Sequence, residues 1–239
     1  MKQGRSPAGM PAIPKAKATH DHKPGTAGFS FGGFFCGMQY NKCMSLLDKD
    51  IREPLFEWLE ARHARVRILE EKQIGRSRAD VVAVTENGLI GIEIKSDADT
   101  YARLPRQVKD YDRYYDFNII VAGTRHAGHI AEHVPEWWGI VTVELDRGSM
   151  DFYEMRTAKP NPKMKPDKQL SLLWRPELAV IQERCELPKY REKSKAFVQK
   201  KLLEKLPSDL LHEEIIRALF ERDYTLIEAK IDAFRTGRK

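Results

Sequence analysis

Asp80, Glu93 and Lys95 are the residues whose types and spacing suggest chemistry. They sit on two β-branched runs, Val81-Val82-Ala83-Val84-Thr85 and Leu89-Ile90-Gly91-Ile92-Glu93-Ile94-Lys95, separated by Glu86-Asn87-Gly88. Asn-Gly between such runs is a strong hairpin signal, because both residues tolerate positive φ. With Asn87 and Gly88 as the two turn residues, Asp80 lies opposite Lys95. The two-residue period then puts Glu93 on the same face, while Ile92 and Ile94 point away. Two carboxylates and an ammonium gathered there form a candidate site for a hard divalent cation, which takes oxygen ligands and keeps several waters. Such an ion would polarise a phosphoryl oxygen and acidify water. Lys95 would orient that water or stabilise charge on the phosphate. The same residues also read as a surface cross-strand ion pair worth less than ~1 kcal/mol, and a three-residue turn would take Asp80 out of the patch.

The elements around the hairpin must position these groups. A helix is expected from Asp50, with Asp50 as its cap, Glu53 in the reciprocal capping-box position and Pro54 in the first turn. Ile51, Leu55, Trp58 and Leu59 form its apolar stripe. Val66 to Glu71 reads as a strand leading to Gly75, and Arg76 and Arg78 precede Asp80, where they serve either as phosphate contacts or as a solvated loop. After the polar loop Ser96 to Thr100, a helix is predicted over about 102–115. Gln107 and Tyr111, four apart, share one of its faces. Tyr111 also fits core packing, whereas Gln107 has no apolar role. Phe117 to Ala122 reads as a buried strand, and two further strands follow at 137–144 and 150–153. His126, His129 and His133 fall on a short helical stretch read as solvated or structural. The order gives an α/β sandwich around a mixed sheet.

Composition bounds the rest. The 239 residues are 41% hydrophobic and 32% charged, so a buried core fits within a soluble protein. No run of 18 apolar residues and no apolar leader is present. The three cysteines, an odd number, fit free thiols in a reducing compartment, so a cytoplasmic protein is expected. Residues 46–158 hold 16 Lys/Arg against 21 Asp/Glu, whereas residues 159–205 hold 13 against 6. The carboxylate-rich segment is thus flanked by basic surface, as a polyanionic substrate requires, although Lys-rich helices alone produce the same balance. Residues 1–44 read as a Gly/Pro/Lys-rich tail. Its His20, His22, Cys36 and Cys43 match no compact zinc spacing. Residues 45–158 read as the main domain, 159–168 as a Pro/Lys-rich linker, and 169–239 as a basic helical subdomain that either grips nucleic acid or packs on the core.

Asp80-x12-Glu93-x-Lys95 on a hairpin resembles the PD-(D/E)XK nuclease superfamily, and Gln107-x-x-x-Tyr111 is similar to the pair found in its RecB-type members. The wider pattern resembles a little-characterised bacterial and phage family placed in that superfamily. It includes Asp50-Ile51-Arg52, Gly75 to Asp80, Glu93 to Asp97, Asp99-Thr100, Arg103-Leu104-Pro105-Arg106-Gln107 and Pro135 to Gly139, over about residues 46–235. The resemblance implies a restriction-endonuclease-like core and a Mg2+- or Mn2+-dependent phosphodiester hydrolase, more often on DNA. Asp80 and Glu93 would hold the metal, Lys95 and Gln107 would assist the attacking water, and cleavage would leave a 5′-phosphate. Asp50 and Tyr111 stand as secondary candidates, and Arg76, Arg78, Arg103 and Arg106 as nucleic-acid contacts. The alternatives are a catalytically silent nucleic-acid-binding or regulatory protein of phage or mobile-element origin, and an interaction module acting through the tail or the helical subdomain, as a homo-oligomer or with a protein partner.

Overall fold

Three strands rich in β-branched residues follow one another closely enough to pair as a meander: β1 (Val66–Ile74), β2 (Ser77–Thr85) and β3 (Gly88–Lys95). The computed structural model describes residues 46–224. The tail 1–44, with the His20, His22, Cys36 and Cys43 considered for zinc, lies outside the described residues, as do residues 225–239. Helix α1 (Asp48–Arg62) precedes the meander, and α2 (Leu104–Tyr114) follows it. The chain then returns as β4 (Phe117–Gly123), β5 (Gly139–Asp146) and β6 (Ser149–Arg156). The result is one six-stranded sheet in the order β1-β2-β3-β4-β5-β6. It is antiparallel at β1–β2, β2–β3 and β5–β6, and parallel at β3–β4 and β4–β5. Helix α2 is the crossover between the parallel strands β3 and β4, the connection such a pair needs. This is an α/β architecture with a mixed sheet flanked by helices, consistent with a restriction-endonuclease-like core.

The period of two divides β3 between two cores. Ile90, Ile92 and Ile94 join Val81 and Ala83 against Ile51, Leu55 and Leu59 of α1. The opposite face meets α2, where Gly91 lies so close to Tyr115 and Tyr111 that a Cβ would fall 2.1 Å from the Tyr115 ring. Four C-terminal helices complete that second layer: α3 (Pro166–Ser171), α4 (Arg175–Arg184), α5 (Lys195–Lys205) and α6 (Ser208–Phe220). Ser194 caps α5 by accepting the Phe197 N–H at 3.2 Å. Leu170, Leu178, Leu202 and Ile215 belong to the same apolar cluster as Val82, Leu89 and Tyr111, so these helices share the core of the sheet. The stretch 159–168 is tied down along this layer: the N–H groups of Lys159, Asn161 and Lys165 donate to the carbonyls of Trp137, Asp116 and Arg113.

The hairpin register differs from the sequence expectation. Thr85 pairs with Gly88 and Val81 with Ile92, leaving Glu86 and Asn87 as the turn. Continuing that register places Asp80 opposite Glu93, not Lys95. The cause is Asp116, whose carboxylate accepts the Leu89 N–H at 2.7 Å. Gly88, at φ +137, is the first residue of β3, and a Cβ there would sit 2.7 Å from the Asp116 carboxylate. Glycine is needed for that approach and so leaves the turn. Because the displacement is two residues, side-chain parity is preserved, and Asp80, Glu93 and Lys95 remain on one face.

Candidate functional site

Helix α2 presents Gln107, Asp110, Tyr111 and Tyr114 to the meander, at the spacing of one helical face. Tyr111 is fully buried; its hydroxyl accepts the Asp80 N–H at 3.2 Å and donates to the Ile92 carbonyl at 3.1 Å. It therefore braces β2 against β3 from behind. Asp110, which sequence reading left without a role, accepts from Ser77 Oγ at 2.7 Å and from the Arg76 N–H at 3.2 Å. Tyr114 accepts the Gly75 N–H at 3.1 Å. Gly75 adopts φ +55, and a Cβ there would meet Asp110 at 2.8 Å, so the β1–β2 turn carrying Arg76 and Arg78 is clasped by α2.

In front of this brace lies a cleft of about 540 Å³. Glu93 (1% exposed) and Lys95 (2%) form its floor, with Lys95 Nζ 2.7 Å from Glu93 Oε1. The Gln107 amide nitrogen donates to the same Oε1, and its oxygen lies 3.4 Å from Lys95 Nζ. Asp80 accepts the Ile94 N–H at 2.9 Å through one oxygen, while the other has its nearest cation, Arg52, 3.9 Å away. All eight residues the sequence singled out as catalytic or as arginine contacts line this cleft: Asp80, Glu93, Lys95 and Gln107 inside, with Arg76, Arg78, Arg103 and Arg106 exposed at the rim.

The electrostatics are those of an under-neutralised carboxylate pair. Burial, and after it the Glu93 charge, push the Asp80 carboxyl up to about 7. Burial also raises Glu93, opposed chiefly by Lys95. Glu93 Oε2 is buried and has no hydrogen-bond partner among the described residues. A buried carboxylate oxygen without a donor is costly, and a dication beside both acids would relieve that cost and their repulsion together. No group of three or more His, Cys, Asp or Glu side chains among the described residues has the arrangement to hold a metal. Two carboxylates are too few for a closed zinc site; by type they would suit an ion that fills the rest of its shell with water or substrate oxygens.

One expectation about the site needs correction, and besides Asp110 a second contributor was missed. Asp50 is exposed and is the third residue of α1, not its cap; it accepts the Leu47 N–H at 3.1 Å and stays outside the cleft. The helix starts earlier, and Asp48 lines the cleft instead. Tyr111 fits the core packing that the sequence also offered: it is fully buried and does not line the cleft, although its hydroxyl is close enough to Glu93 to favour that carboxylate's charge. Arg52 was missed: from α1 it reaches Asp48 (2.7 Å), Glu71 (2.6 Å) and the Asp80 carbonyl (3.3 Å). Its only sequence signal was its place beside Asp50 in the longer resemblance. The histidines behave as structural groups where they are buried, with the His126 ring nitrogens 2.9 Å from the Tyr101 hydroxyl and 3.0 Å from the Ser96 carbonyl.

The fold and cleft define an α/β protein whose mixed six-stranded sheet, consistent with a restriction-endonuclease-like core, carries a buried carboxylate pair under a rim of arginines. The chain belongs to the family described as bacteriophage P4 protein cII, whose model matches residues 42–233. No curated protein matches. Among solved structures, SfsA of Pyrococcus furiosus in complex with Ca2+ is similar at 16% identity and a TM-score of 0.30, over 49% of this chain and 63% of that one. This chain thus spans less than two thirds of that structure. No described helix is long and apolar enough to cross a membrane.

Proposed function

We propose that this protein is a divalent-metal-dependent nuclease of the PD-(D/E)XK type that hydrolyses phosphodiester bonds, in DNA by preference. The observation that carries the reading is Glu93 Oε2, buried and without a partner, beside an Asp80 carboxyl driven to about 7. In this reading Asp80 and Glu93 would hold a Mg2+ or Mn2+ ion, which would supply positive charge to a phosphoryl oxygen and acidify a water. Lys95 has three N–H donors; two face Glu93 and Gln107, and the third is free to hold the water in line or to stabilise charge on the phosphate. Gln107 fixes the Glu93 carboxylate through Oε1, which leaves Oε2 turned to other use. The exposed Arg76, Arg78, Arg103 and Arg106 bind flanking phosphates without reading bases.

A metal-titrated cleavage screen over single-stranded, duplex and branched DNA, with RNA controls, tests the reading. Wild type should cut with Mg2+ or Mn2+ and stop in EDTA. Lys95→Ala should lose at least about 100-fold in rate while binding nucleic acid nearly as well. Steeply salt-dependent binding with no turnover under any metal would instead leave a nucleic-acid-binding protein that keeps the fold.

A further inference from the structure

Helix α2 is a wall between two cavities. Its Arg103, Arg106 and Gln107 face the cleft, while Pro105, Val108, Lys109 and Arg113 line a second groove of about 640 Å³ on its far side. The opposite bank of that groove is the Pro/Lys-rich stretch, through Pro162, Lys163, Met164 and Lys165, together with Pro135. The site in the cleft leaves this stretch unused, although its backbone is pinned to the core at Asn161 and Lys165. Four cations, Lys109, Arg113, Lys163 and Lys165, surround a floor of three prolines, a valine and a methionine. The single acid there, Asp112, is buried; its Oδ1 accepts both the Trp137 (3.1 Å) and Trp138 (2.9 Å) indole N–H groups. Lys163 Nζ lies 3.6 Å from Asp112 Oδ2 and 4.5 Å from the centre of the Trp137 ring. Lys109, Arg113 and Lys165 make no ion pair among the described residues.

We propose that this groove holds the single-stranded stretch of nucleic acid adjoining the phosphate in the cleft, an inference that rests on reading the cleft as the phosphodiester site. Cations flanking an apolar floor are what a strand needs, phosphates on the lysines and base faces on apolar side chains. Continuity supports the same occupant. From Arg103 to Arg113 is ten residues along α2, roughly 15 Å of its axis, which is four or five nucleotides of strand at ~3.4 Å each and lies within the reach of a 12-mer. Arg103 and Arg106 lie at the helix end where the strand would pass from one cavity to the other.

The test is fluorescence anisotropy of labelled oligothymidylates on the full chain in EDTA, which needs no catalysis. The variant is Lys109→Gln/Lys163→Gln/Lys165→Gln, three exposed side chains; because Lys163 sits 3.6 Å from the buried Asp112, the melting temperature is measured alongside, and Lys109→Gln/Lys165→Gln, which keeps that pair, serves as the second variant. A 12-mer should bind the variant at least tenfold more weakly, with its logarithmic salt slope smaller by about 2, as loss of three single-strand phosphate contacts predicts. A trinucleotide, long enough for the cleft alone, should bind both proteins alike. Equal affinity and equal slope for the 12-mer overturn the groove proposal even if the protein cuts DNA. A reduced slope upholds it even if no metal yields cleavage. Displacement of the 12-mer by polyglutamate at concentrations where an oligonucleotide of equal charge fails would assign the groove to an acidic peptide and overturn the proposal.

Discussion

Replacing Asp80 by Asn keeps the side chain's shape and an acceptor for the Ile94 N–H (2.9 Å) but removes the charge. Burial first, and the Glu93 charge second, move this carboxyl from its ordinary 3.8 up to about 7. With a raised carboxyl pKa, the folded chain retains a proton that the unfolded chain has released. This group's contribution to stability is therefore greatest below about pH 4, falls as the pH rises to about 7, and is flat above. Each pH unit in that window is worth ~1.4 kcal/mol. Discounted for the 20% of the side chain left in water, the ionised carboxylate costs the metal-free fold roughly 3 kcal/mol at pH 8. Asp80→Asn should then melt roughly 6–12 °C above wild type at pH 8 in EDTA, with the gap closing towards pH 4. Scanning calorimetry of both proteins across this range, with and without millimolar Mn2+, provides the assay. Mn2+ should raise the wild-type melting temperature and leave the variant near its metal-free value. A variant that melts below wild type at pH 8, or a gap that persists on acidification, would refute the burial-and-repulsion argument.

Other outcomes follow from the geometry. Gly91→Ala places a methyl 2.1 Å from the Tyr115 ring and 2.8 Å from Tyr111, so urea unfolding should show a loss of roughly 3 kcal/mol. Tyr111→Phe leaves the Asp80 N–H and the Ile92 carbonyl without their hydroxyl; it should cost ~1–3 kcal/mol in the same assay and weaken Mn2+ binding through the loosened hairpin. His212 Nε2 lies 3.0 Å from the Asp116 carboxylate, and that close approach raises the imidazole pKa above 6.5. Its stabilisation is present below pH 6.5 and is lost as pH rises through the folded value. His212→Gln should therefore lower the melting temperature at pH 6, by the equivalent of ~1 kcal/mol, and change little at pH 9.

The co-facial Asp80, Glu93 and Lys95 were legible in the sequence because strand parity survives any even displacement of register. The register itself was not, because Gly88 is claimed by Asp116, a residue 28 positions downstream that no local turn rule consults. The order of strands and the crossover helix followed from alternation and apolar runs. Gln107 and Tyr111 were legible as one helical face, but not as a pair divided between the front and the back of the site. Arg52 and Asp110 stayed hidden because each acts across a helix–sheet contact, and a periodic apolar stripe says which face is buried without saying what a charged neighbour at its margin will reach. Asp50 misled for a related reason: it is a good capping type, yet the chain enters α1 through Leu47 as the cap, just after Leu46, whose N–H is held by Asp97 at 3.2 Å.

The most direct test of the shared ion is calorimetric titration of Mn2+ into the metal-free protein at pH 8 without nucleic acid, comparing wild type with Glu93→Gln. One saturable site in wild type, abolished when the unpartnered Glu93 oxygen becomes an amide, is the predicted result. No binding to wild type, or undiminished binding to the variant, would contradict the assignment of Asp80 and Glu93 as the metal ligands.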